Sequence, residues 1–175
     1  MTPLDSSFAI LVGLPRAGKS SLAAKLGDRS YSVVSVGATI RAMFLDKSGR
    51  PGKRLELIQF GIGLREKDKF RGLTKLLDGQ ISKSGEKTVL EGLRPIELIS
   101  RFKSVYQGTV FLVCCDEAII RQRLAKEEPD DRQYPDTVLT LERKLIGSSY
   151  HAVSDAIIQG GDKDTYSWDD LLAFK

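Results

Sequence analysis

The eight residues Gly13-Leu14-Pro15-Arg16-Ala17-Gly18-Lys19-Ser20 read G-x-x-x-x-G-K-S, and no other stretch restricts the fold of this chain so much. That spacing works as a turn between a buried strand and a helix. The flanks agree: Phe8-Ala9-Ile10-Leu11-Val12 is an apolar run suited to a strand covered on both faces, and Ser21-Leu22-Ala23-Ala24-Lys25-Leu26 is made mostly of good helix formers. Gly13 and Gly18 allow the backbone to turn tightly and to aim successive N–H groups at one anion, while the helix start near Lys19 adds its positive dipole end. In such a loop Lys19 is expected to reach the β- and γ-phosphates of a nucleotide and the Ser20 hydroxyl to ligate Mg2+. Gly13, Arg16, Ala17, Gly18, Lys19, Ser20 and the adjoining Ser21 are the expected nucleotide-binding residues.

A chain of 175 residues that is 41% hydrophobic has material for one good core, so a single domain with a small excursion is expected. No apolar run approaches the roughly 20 residues that cross a bilayer, and the first residues lack the pattern of a signal peptide. A soluble, cytoplasmic protein without a membrane partner is expected, as a monomer or homodimer. Cys114 and Cys115 are adjacent at the end of an apolar run, where neighbouring side chains point to opposite sheet faces, and read as packing residues. His151 is the only histidine, which argues against a zinc site or a catalytic triad.

The net charge of +4 is unevenly spread: Arg41 to Lys75 alone carries +6, leaving −2 for the rest. A basic stretch beside a phosphate loop suits an anionic second substrate; a solvated helix face is the plainer alternative.

Further along, residues 31–36 read as a second strand and 37–44 as the turn and helix leaving it. A break at Ser48-Gly49-Arg50-Pro51-Gly52 precedes two helical segments over 55–64 and 70–81. Residues 86–92 supply a third strand, Pro95 opens a helix to Lys103, and 108–114 form a fourth strand. Asp116 is placed to cap a helix over 117–127, and the polar stretch to Pro135 reads as a lid over about 126–136. Asp136 is placed to cap a helix from Thr137 to about Tyr150, residues 155–159 read as a short fifth strand, and 167–172 as a terminal helix. The alternation implies an α/β fold: a five-stranded parallel sheet with helices on both faces and ligands at the carboxyl ends of the strands. Residues 37–81, a helical insertion, would hold the second substrate.

In this order the pieces resemble the P-loop kinases of the adenylate kinase type, the nucleoside and nucleotide kinases, over nearly the whole length. Val36-Gly37-Ala38-Thr39-Ile40-Arg41-Ala42 is similar to that family's G-D-x-x-R-A segment, with Ala38 in place of the acid. Glu91-Gly92-Leu93-Arg94-Pro95 is similar to its D-G-F-P-R or D-G-x-R, with glutamate in place of aspartate. Arg54-Leu55-Glu56-Leu57-Ile58-Gln59-Phe60-Gly61 resembles the R-x-x-L-Q-x-x-G of deoxynucleoside monophosphate kinases and dephospho-coenzyme A kinase-like proteins. The resemblance implies that Arg41, Gln59, Glu91 and Arg94 bind the acceptor and that Arg123 packs on the adenine of ATP, whose ring also meets the backbone near Gly161. The second arginine of the family's R-L-x-x-R lid hinge is replaced by Glu127, so a lid contact to the γ-phosphate falls to Lys126, Arg132 or Arg143, with Arg132 the candidate.

The activity so implied is transfer of the γ-phosphoryl group of ATP, with Mg2+, to a small nucleotide-type acceptor, most naturally a (deoxy)nucleoside monophosphate. Lys19, Glu91, Arg94 and Arg132 would carry the transfer, with Ser20 and Glu91 at the metal. Were the acceptor a hydroxyl instead, on a nucleoside, a coenzyme precursor or a modified base in a nucleic acid, Glu91 would serve as general base. A nucleotide-hydrolysing switch or motor is the remaining alternative; the guanine-reading N-K-x-D of many switches is absent.

Overall fold

The computed structural model describes residues 7–126, 135–146 and 150–160. Five strands, β1 (Phe8–Val12), β2 (Ser32–Ser35), β3 (Thr88–Glu91), β4 (Thr109–Cys114) and β5 (Ala156–Gln159), form one sheet in the order β2-β3-β1-β4-β5. Every neighbouring pair is parallel. The helices are α1 (Lys19–Gly27), α2 (Val36–Ser48), α3 (Arg54–Asp68), α4 (Arg71–Ile81), α5 (Ile96–Tyr106), α6 (Glu117–Ala125) and α7 (Pro135–Ile146), and a short 3-10 turn spans Tyr150–Ala152.

The period of two along a strand divides the core. Phe8, Ile10 and Val12 face Leu73, Leu77, Leu98, Ile99 and Phe102 of α4 and α5. Ala9 and Leu11 face Leu22 and Leu26 of α1 and Ile120 and Leu124 of α6. All five β1 residues are buried, as a parallel strand covered on both faces requires. Cys114 packs with the first cluster and Cys115 with the second, on opposite faces as their adjacency predicts. Burial, then the neighbouring thiol, pushes the Cys114 pKa up and so disfavours a reactive thiolate. Among the described residues no helix is long and apolar enough to cross a membrane.

Several boundaries differ from the sequence expectation, two of them for a reason the structure shows; α7 also ends at Ile146, with Tyr150 in the 3-10 turn. Helix α2 begins at Val36 without a preceding turn, because the Ser35 hydroxyl accepts the Ala38 N–H at 3.3 Å and caps the helix directly from β2. Helix α7 begins at Pro135, so Asp136 lies in its first turn and is not its cap; the fixed φ of proline suits that first position. Pro135 and Asp136 are therefore helical, and of the expected lid 127–134 lies outside the described residues, as does the expected terminal helix. The break after α2 begins at Gly49, with φ 72°, a left-handed cap that glycine adopts without steric cost.

Candidate phosphate-binding site

Chain order does not by itself bring Ser35 and Glu91 beside the glycine loop; the sheet register does. Leu11 pairs with Glu91, and Glu91 with Ser35, so the ends of β1, β3 and β2 lie in one row. The loop after β1 and the turn after β3 therefore open on the same edge of the sheet.

Gly13 has φ 140°, and a Cβ there would lie 2.3 Å from the carbonyl oxygen of Val113, so only glycine lets the loop lie on β4. Arg16 and Gly18 also have positive φ, 63° and 108°. No side chain caps α1, and its first turn carries no acid, so the N–H groups at its start remain available to an anion. Lys19 is 7% exposed, and its Nζ donates to the Leu14 carbonyl at 2.7 Å across the loop. Burial, with the nearby Arg94 charge next in weight, lowers its pKa to about 8, against the opposing pull of Glu91 and Glu142. An ammonium held in that state gains from any phosphate that arrives.

Glu91 is already engaged through both oxygens: Ser35 Oγ donates to Oε1 at 3.0 Å and Ser20 Oγ to Oε2 at 3.4 Å. A hydroxyl and a carboxylate side by side are hard oxygen donors of the type Mg2+ takes. Among the described residues no cluster of three His, Cys, Asp or Glu is present. Ser20 and Glu91 are the residues that could hold Mg2+ beside the loop.

Arg94 enters from the turn after β3. Its Nη1 donates to the Gly92 carbonyl at 3.3 Å, and its Nε pairs with Oε2 of Glu142 on α7. Burial opposes the Arg94 charge, but Glu142 and Glu91 more than offset it and raise its pKa. Glu142 is 1% exposed. The Tyr150 hydroxyl is buried nearby without a hydrogen-bond partner, and burial raises its pKa. Arg41 is exposed on α2, with Nη1 3.6 Å from where a Cβ on Gly37 would stand; Gly37 N is 3.9 Å from the corresponding point on Gly92. The turns after β2 and β3 thus nearly touch, with Arg41 beside them.

On the other side of the loop, Arg123 Nη1 donates to the Arg16 carbonyl at 2.8 Å, with Cys115 Sγ at 3.8 Å. Gly160 lies over the same loop: a Cβ there would stand 2.4 Å from the Ala17 carbonyl oxygen. Gly161 and Arg132 lie outside the described residues. Gln59 is exposed on α3, and Ser21 is exposed on α1. Of the lid alternatives, Arg143 pairs with Glu117 of α6.

Three neighbours of the loop were not selected from sequence. Arg54, in the first turn of α3, is near enough to Lys19 to contribute to lowering its pKa. It opens the R-x-x-L-Q stretch and was legible there. Ser35 gave no signal beyond lying within the expected second strand. Glu142 gave none, since a glutamate in an amphipathic helix reads as a solvated residue.

The fold is that of the P-loop kinases, as its solved neighbours show. TT1252 from Thermus thermophilus superposes with a TM-score of 0.61 at 18% identity, covering 94% of this chain and 92% of that one. A shikimate kinase from Acinetobacter baumannii, solved with shikimate, gives 0.56 at 17% identity, covering 94% and 87%. A sugar kinase from Janibacter sp. gives 0.52 at 13%, covering 89% and 85%. No protein-family model and no curated protein sequence matches the chain.

Proposed function

We propose that this protein is an ATP-dependent phosphotransferase that moves the γ-phosphoryl group to a nucleotide-type acceptor, most naturally a (deoxy)nucleoside monophosphate. The observation that supports this reading is the nearness of Arg94 and Arg54 to the buried Lys19, with Arg41 beside the adjoining turns, since guanidinium groups suit an anionic acceptor as well as an anionic donor. In-line transfer asks the protein chiefly to hold two anions end to end and to neutralise the moving group. In this reading Lys19 and the loop N–H groups hold the donor, Arg123 and the backbone after β5 frame its base, and Arg41 and Arg94 grip the acceptor. Ser20 and Glu91 would hold Mg2+, which would supply charge neutralisation to the donor phosphates.

Glu91 accepts one hydroxyl at each oxygen and keeps a lone pair on each, so it can serve at the metal with a phosphate acceptor or as base with a hydroxyl acceptor; the neighbouring arginines are what favour the phosphate. The test is ATP consumption against a panel of nucleosides, nucleoside monophosphates and oligonucleotides. Acceptor-dependent turnover should appear with monophosphates. Equal turnover with uncharged nucleosides would move the reading to a hydroxyl kinase, and turnover without any acceptor to a hydrolase.

A further inference from the structure

Glu142 is out of place in a site for phosphates. Among the described residues it is the one fully buried carboxylate, it comes from α7 and not from the sheet edge, and its charge opposes the anions the site would receive. Nothing in the transfer scheme above uses it.

Its contact supplies the reason. The Arg94 guanidinium is ion-paired with Glu142 on its Nε side, where neither partner makes a hydrogen bond, and Nη1 donates to the Gly92 carbonyl. That carbonyl is itself set by a turn in which Gly92 has φ 86°. A buried charge contact on one side and a hydrogen bond on the other restrain a rigid fork with five N–H donors, and leave Nη2 and the second hydrogen of Nη1 to a ligand. The side chain retains 22% exposure, so part of it is still open to an incoming group. Helix α7 is in turn clamped to α6 on its outer side, where Arg121 pairs with Asp136 and Arg143 with Glu117. The carboxylate that orients Arg94 therefore sits on an element anchored independently of the site.

We infer that Glu142 is a positioning residue: its buried ion pair on the Nε side locks the Arg94 guanidinium in place, so that the Nη edge is presented ready-formed to the acceptor's phosphate. The identity of that ligand rests on the functional reading above; the lock does not. An anchored fork loses less freedom when it binds than a free arginine does, and a displaced one costs rate out of proportion to the shift.

The test is a double-mutant cycle on the whole protein with Glu142→Gln, Arg94→Ala and their combination, using ATP, Mg2+ and the best monophosphate of the panel. Alongside it, hydrogen exchange of the Arg94 Nε–H is followed by NMR of arginine-labelled protein, the signal being assigned by its loss in Arg94→Ala. Glu142→Gln should raise the acceptor KM about tenfold in the wild-type background, leave the ATP KM unchanged, and change the acceptor KM less than twofold once Arg94 is alanine. It should also speed Nε–H exchange markedly. Equal losses in both backgrounds would make Glu142 a counter-ion of Lys19 instead, and unchanged exchange would remove the lock. Should the glutamine variant not fold, Glu142→Asp keeps the charge but withdraws it by one methylene, and the same cycle with a smaller loss decides. If the wild type transfers to no acceptor, the functional reading fails while the exchange measurement still decides the lock.

Discussion

The two halves of the site are built differently. The phosphate loop, proposed to hold the donor, is local in sequence: one strand, one loop and one helix, residues 8–27, with a glycine where a side chain would strike Val113. The half proposed to hold the acceptor is assembled from distant pieces, Arg41 from α2, Arg54 from α3, Glu91 and Arg94 from the end of β3, and Glu142 from α7. An assembled half is only as well formed as the packing of the elements that supply it, which makes it the place where specificity and control are most readily varied.

The contrast can be broken most severely at Lys19. Lys19→Met should reduce transfer on the order of a hundredfold or more, as loss of a transition-state contact does. It should also stabilise the ligand-free protein, because holding a buried ammonium at a pKa of about 8 in place of 10.5 costs about 3 kcal/mol at neutral pH. Turnover assays and urea unfolding check both; a variant that is less active and also less stable would mean that Lys19 serves packing.

Glu91→Gln is next. With the carboxylate at the metal, activity should fall roughly tenfold to a hundredfold and extra Mg2+ should recover part of it, without a glutamate ionisation in the rate profile. A wild-type rate that climbs through a carboxylate pKa would instead assign Glu91 to proton abstraction from a hydroxyl.

Arg41→Ala should raise the acceptor KM by about tenfold and leave the ATP KM within twofold, which would sharpen the division between the halves. Equal weakening of both substrates would put Arg41 on the donor side.

The smallest effect is a pH dependence of ATP binding. Lys19 loses its proton in the free protein as pH rises through about 8, whereas bound phosphate keeps it charged, so binding takes up a proton above that pH. Affinity should fall about fourfold between pH 7 and 8.5, and calorimetry in buffers of different ionisation enthalpy should detect the proton. The sign for folding is opposite: the unfolded lysine keeps its proton up to 10.5, so this group makes the ligand-free fold more stable as pH rises from 8 to 10.5. Flat affinity over this range would show that the free lysine is not held at a low pKa.

The same division governs what could be read from sequence. The loop from Gly13 to Ser20 was legible because its requirements are backbone ones, met by glycines at fixed offsets inside a strand-to-helix context. The strand pattern likewise announced the parallel sheet, since buried parallel strands read as short continuous apolar runs. Glu91 and Arg94 could be named from the motif after the third strand, but not the partners that engage them. Ser35 reaches Glu91 through a register between strands 56 residues apart, and Glu142 reaches Arg94 across the packing of a distant helix. Neither leaves a periodic signature, because each depends on how three or more elements meet. Arg54 lies between: its motif was visible, while its nearness to Lys19 follows from where the first turn of α3 comes to rest.

The central position of β1 also bears on how the chain is born. Strand β1 emerges from the ribosome before the other four strands, yet its partners are β3 and β4, which end at residues 91 and 114. Until those strands have been made an all-apolar segment waits without a neighbour, the kind of exposed β-prone run that captures other nascent chains. Strand β2 cannot relieve it, since β2 pairs with β3 and has no place beside β1. The glycine loop thus acquires its floor only when Val113 is in place, so the residues that announce this protein in the sequence cannot reach their final shape before β4 has been made.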